Sequence, residues 1–107
     1  MSVWRVAPAK EHPEAVLVSW RVFELENGDR HFCGRETLYR EGRVTSRVVS
    51  FDPKSRQGIT RSSRCYELQG PPGHNADALY VWDYWCRVNG ITQCTDVTDQ
   101  VYEEFTH

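Results

Sequence analysis

The chain has 107 residues, 39% apolar and 26% charged, with 13 basic and 15 acidic side chains for a net charge of −2. That length holds one hydrophobic core and excludes two domains, and four Trp, five Tyr and four Phe give the core its bulk without disulfides or metal. No stretch is apolar enough for a signal-peptide core or a bilayer span, so the expectation is a cytosolic protein whose Cys33, Cys65, Cys86 and Cys94 are reduced thiols, most of them buried.

Residues 1–14 are polar and carry two prolines, which predicts a loosely held arm with Trp4 docked on the core, followed by one α+β domain over 15–107. The run VLVSWRVFEL from Val16 to Leu25 is rich in β-branched and aromatic residues, and Asn27-Gly28 after it is a strong hairpin signal. A two-residue loop there places Phe23 opposite Phe32 and Val22 opposite Cys33. A second tight turn at Glu41-Gly42 places Glu36 opposite Arg47 and Phe32 opposite Phe51, giving strands over 16–25, 30–39 and 43–51 with a Phe23, Phe32, Phe51 row on one face. Asp52 to Gly58 has loop chemistry, and Ile59 to Leu68 reads as a fourth strand with a polar first half.

Gly70-Pro71-Pro72-Gly73 ends the sheet, Asn75 or Asp77 caps a helix running to about Val88, and Asn89-Gly90 stops it. At 100° per residue, Ala78, Leu79, Val81, Trp82, Trp85, Cys86 and Val88 share the inward half of this helix, and Tyr80, Asp83, Tyr84 and Arg87 the outward half. Ile91 to Val97 fits a short fifth strand and Thr98 to Phe105 a final helical turn or two. The expected architecture is a mostly antiparallel four-stranded sheet, with that fifth strand as an addition, covered on one face by one main helix.

Charge is divided along the chain. Residues 1–29 sum to −2, residues 30–64 to +6 and residues 65–107 to −6, and eleven of the thirteen basic residues are Arg. Arg favours bidentate contact with carboxylate, phosphate or backbone carbonyl. The basic middle and acidic end either neutralise each other across the sheet or leave a basic surface over Arg35, Arg40, Arg43, Arg47, Arg56, Arg61 and Arg64, with Tyr39 and Tyr66 as stacking groups for single-stranded nucleic acid.

Few motifs carry chemistry. The Gly70 to Gly73 segment lacks the Gly-Lys-Ser/Thr that a phosphate-binding loop needs, and Asp77 follows it, so it reads as a stiff connector. The cysteines and histidines have no knuckle spacing, which disfavours zinc and implies no cofactor. His31 and Cys33 share a strand face about 7 Å apart, a spacing that suits a buried inert thiol better than a dyad. Asp96, Asp99, Glu103 and Glu104 read as a solvated acidic face. Tyr80, Asp83, Tyr84 and Arg87 form a candidate protein-binding face, since Tyr and Arg are the usual hot-spot types.

The stretch Arg43-Val44-Thr45-Ser46, the stretch Cys65 to Gly73, Tyr80-Val81-Trp82, Trp85-Cys86 and Asp96-Val97-Thr98 resemble small uncharacterised proteins of bacterial phages and mobile elements. The resemblance covers about half the chain and transfers no catalytic or ligand residue. It implies a stoichiometric binder, including inhibitors of host defence complexes such as anti-CRISPR proteins. The expectation is therefore a non-enzymatic protein that engages a protein or ribonucleoprotein partner. A single-stranded RNA or DNA binder is the alternative, and homodimerisation stays open.

Overall fold

The computed structural model describes residues 13–105. Residues 1–12 of the expected arm, Trp4 among them, lie outside the described residues, while Glu14 accepts the Cys65 N–H at 3.0 Å. Seven strands form one sheet: β1 Ala15–Leu25, β2 Arg30–Glu36, β3 Glu41–Val44, β4 Val48–Asp52, β5 Gln57–Thr60, β6 Cys65–Leu68 and β7 Cys94–Asp96. Two helices, α1 Ala76–Val88 and α2 Thr98–Phe105, complete the α+β fold. The spatial order is β3-β2-β1-β6-β5-β4, with β7 also on β1. The sheet is larger than the four strands expected and is mixed, because β6 runs parallel to β1.

β1 is the spine. One edge pairs with β2, and the other pairs with β6 at Ala15–Leu17 and with β7 at Phe23–Leu25. Between those two partners the β1–β2 register slips, so that Ser19 and Trp20 face one residue of β2 and Ser19 takes φ 49°. This bulge puts Leu17, Trp20 and Val22 on one face where strict alternation would separate them.

The predicted hairpin exists, with a different turn. Leu25 N–H bonds to Asp29 O and Gly28 N–H to Leu25 O, a three-residue loop with Gly28 at φ 92° in the left-handed region. The added loop residue shifts the pairing by one, to Val22 with Phe32 and Phe23 with His31, and so reverses the expected faces. Phe32 and Phe51 do meet, their rings 5.7 Å apart, but Phe23 lies on the opposite face against Trp82.

The predicted third strand is two strands. Residues 37–40 form a four-residue turn instead of the tight Glu41-Gly42 turn, and Cys33 pairs with Val44. Thr45 then redirects the chain: its hydroxyl accepts the Phe32 N–H and donates to Ser46 O. β4 leaves to pair with β5 at the far side of the sheet. The predicted fourth strand also divides, at a turn closed by Ser63 N–H to Thr60 O, with Ser63 at φ 66°.

Both faces are covered, not one. Leu17, Trp20, Val22, Phe32, Phe51 and Leu68 build the larger core, closed by Val101, Tyr102 and Phe105. On the other face Phe23, Cys33, Ala78 and Trp82 pack under α1. Asn75 caps α1 by accepting the Ala78 N–H, and the end is a Schellman closure in which Ile91 N–H reaches Cys86 O and Gly90 N–H reaches Arg87 O. α2 forms over the acidic C-terminal segment as expected. Thr98 fixes its start, its hydroxyl accepting the Val22 N–H and its own N–H donating to Asp96.

Candidate functional site

Helix α1 is anchored by its inward aromatics. Trp82 stacks on Phe23 at 4.6 Å and on Trp85 at 5.2 Å, and His31 meets Trp85 at 4.6 Å. Ala78 is buried against β3, where Gly42 comes so close that a Cβ there would lie 2.4 Å from the Ala78 nitrogen.

With that side fixed, Tyr80, Asp83, Tyr84 and Arg87 all project outward and are exposed. Tyr80 and Tyr84 are 69% and 58% exposed, and Val88 continues the row at 64%. Positions spaced by four lie one above another on a helix, so the three form one apolar line about two turns long. Asp83 and Arg87 run beside it as an exposed ion pair at 3.2 Å. An exposed pair of this kind adds little stability and leaves both charges open to a partner. Val88 corrects the wheel assignment: inward cover on α1 ends at Cys86, and Val88 at the end of the helix is exposed.

The Arg-rich segment is divided by the fold. Arg30 is buried and bonds Glu24 at 2.8 Å. Arg43 is half-buried and bonds Glu41 at 3.1 Å, so it is not the open contact expected. Arg56 is half-buried with its guanidinium 4.8 Å from the Phe105 ring centre. Arg35, Arg40, Arg47, Arg61 and Arg64 are exposed. Arg61 and Arg64, expected within the fourth strand, share the β5–β6 turn. Arg47 joins them, because its carbonyl accepts the Arg61 N–H at 2.9 Å. Of the stacking groups, Tyr66 is buried and Tyr39 exposed.

Tyr39 and the neighbouring Leu38 stand out from the turn after β2, and the reason is Glu36. Its buried carboxylate accepts the N–H groups of Leu38 and Tyr39, each at 2.8 Å. Burial alone would raise the Glu36 carboxyl, but the amide hydrogen bonds and the charge of Arg43 outweigh it and hold the group below its ordinary value of 4.5. Such a carboxylate stabilises the fold fully above its unfolded value and stops doing so as pH falls through the lower folded value. Stability is expected to decline from near pH 4.5 downward, and more shallowly in Glu36→Gln, as read by urea unfolding across pH.

The polar groups of His31 and Cys33 are spent elsewhere. His31 Nδ1 donates to Thr45 O at 2.8 Å, and burial lowers its pKa. Cys33 Sγ donates to Ala78 O at 3.2 Å, and burial pushes its thiol up to about 12. The acidic end is also partly engaged: Asp96 bonds Arg21 at 2.7 Å. No group of three or more His, Cys, Asp or Glu among the described residues is placed to hold a metal ion. No helix among them is long and apolar enough to cross a membrane.

Comparison with protein-family models finds no match, and comparisons with curated proteins and with solved structures find no significant match.

Proposed function

We propose that the protein is a non-enzymatic binding protein that engages a protein or ribonucleoprotein partner through the outward face of α1. The observation that carries this reading is the exposed Tyr80, Tyr84, Val88 line with the Asp83–Arg87 pair beside it, on a helix held rigid by its inward aromatics. Tyr and Arg are the side chains on which binding energy concentrates, and an anchored helix pays little ordering cost when it docks. The resemblance to phage and mobile-element proteins gives the reading its sharpest form, an inhibitor of a host defence complex.

Replacing Tyr84 and Arg87 together by alanine is expected to lower partner capture at least tenfold, corresponding to a loss of about 1.4 kcal/mol or more. Circular dichroism and the melting temperature should match the parent, since both side chains are exposed. Undiminished capture by a folded double variant would remove this face from the account.

A second reading rests on the corner where Arg47, Arg61 and Arg64 are exposed on adjoining segments, tied by the Arg47–Arg61 backbone bond and the Ser46–Ser62 hydroxyl pair at 3.2 Å. Three phosphate contacts to a single strand give a log–log salt slope of about −2. Binding of a fluorescent oligonucleotide that is absent or insensitive to salt would set this reading aside.

A further inference from the structure

Two cysteines, Cys86 and Cys94, flank the turn that follows α1. Cys86 is half-buried on the inward side of the helix, packed against the Phe23, Cys33, Ala78 and Trp82 cluster. Cys94 pairs with Leu25 across the β1–β7 ladder, and residues directly opposite in an antiparallel pair point to the same face. Leu25 packs on that same cluster, so Cys94 lies on the face of the sheet that α1 covers. Burial first, and then the charge of Cys94, raise the Cys86 thiol above its ordinary value.

Their environments differ in a useful way. Cys94 is exposed and lines an open groove with Glu26, Thr92 and Gln93, through which a small solute reaches its sulfur. Cys86 is half-buried. The chain between them turns at Asn89-Gly90, where Ile91 N–H bonds Cys86 O at 2.8 Å, and so brings the segment leading to Cys94 back to Cys86.

We propose that Cys86 and Cys94 are a reversible disulfide site, with Cys94 the sulfur that meets the oxidant and Cys86 the resolving thiol. A peroxide transfers one oxygen to Cys94, giving a sulfenic acid and one water. The Cys86 sulfur then attacks the Cys94 sulfur, the S–O bond breaks, and the oxygen leaves as a second water with the remaining proton. Two thiols thus lose two electrons and two protons to one peroxide. A dithiol reductant reverses the bond by exchange. Cys33 stays out of the reaction, since its thiol is buried and bonded to Ala78 O. The ring encloses Arg87 and Val88, so the redox state of the pair sets the conformation at the end of the outward face of α1.

The test is oxidation of the purified protein with hydrogen peroxide, denaturation, labelling with N-ethylmaleimide and mass spectrometry of tryptic fragments. Four labels per reduced chain should fall to two after oxidation, with the fragment 65–87 joined to 88–107 and fragmentation locating the link at Cys86. Dithiothreitol should restore all four. Cys86→Ser and Cys94→Ser should each abolish the link while keeping the parent circular dichroism. A Cys94–Cys94 link between two chains would overturn the proposal. So would Cys94 carried to sulfinic acid while Cys86 still takes label.

Discussion

Replacing Gly42 by alanine is expected to destabilise the protein by about 3 kcal/mol, toward the upper end of what one inserted methyl costs in a packed interior. The added Cβ would lie 2.4 Å from the Ala78 nitrogen, 2.5 Å from the Asp77 carbonyl carbon and 2.7 Å from the Ala78 Cα. All three are main-chain atoms of the first turn of α1, so no side chain can rotate away. Relief requires the helix to lift from β3, which would thin the cover over Phe23 and Cys33. Urea unfolding followed by tryptophan fluorescence checks this: the midpoint should fall, and emission should shift to the red as Trp82 is wetted. A midpoint equal to that of the parent would mean that α1 does not sit on β3 as described.

A larger loss is expected from Trp20→Ala, about 3–5 kcal/mol, because the site is fully enclosed and cannot collapse around the missing ring. Trp20 packs against Tyr102 at 6.0 Å and Phe105 at 5.5 Å, and its indole N–H donates to Gly70 O at 3.1 Å. It therefore joins three parts of the chain: the bulged spine strand, the Gly-Pro-Pro-Gly connector and α2. Thermal unfolding should show the lower stability, and a drop in helical signal below the transition would show that α2 has come loose with it.

The parts of this fold that were legible in the sequence are those fixed by local chemistry. Asn75 and Asn89-Gly90 bracket α1 because a cap acceptor and a left-handed glycine are needed within one or two positions of its ends. The outward placement of Tyr80, Asp83, Tyr84 and Arg87 followed from the helical period alone, since the inward aromatics leave one orientation for the helix. Strand register was not legible in the same way. Asn27-Gly28 suits both a two-residue loop and the three-residue loop found, and the choice between them rests on which face Phe32 and His31 fill. The bulge at Ser19 and the break at Thr45 depend on partners distant in the chain: β6 and β7 on one edge of β1, and the Phe32 amide for the Thr45 hydroxyl.

The charge division has a similar explanation. A block of nine basic residues over 30–64 reads as a surface in one dimension, yet Arg30, Arg43 and Arg56 are engaged by Glu24, Glu41 and Phe105. Each partner became visible only once the strands were paired. Val88 failed for a different reason: the helical period assigns it inward, but the cover ends at Cys86.

The most direct test of the binding account is affinity capture of the tagged protein from bacterial lysate, with and without nuclease, followed by mass spectrometry of what stays bound. A protein partner at near-stoichiometric yield is expected, one that survives nuclease and is lost with the Tyr84/Arg87 double variant. Capture that disappears on nuclease treatment, and is unaffected by that variant, would contradict it and move the site to the Arg47, Arg61 and Arg64 corner.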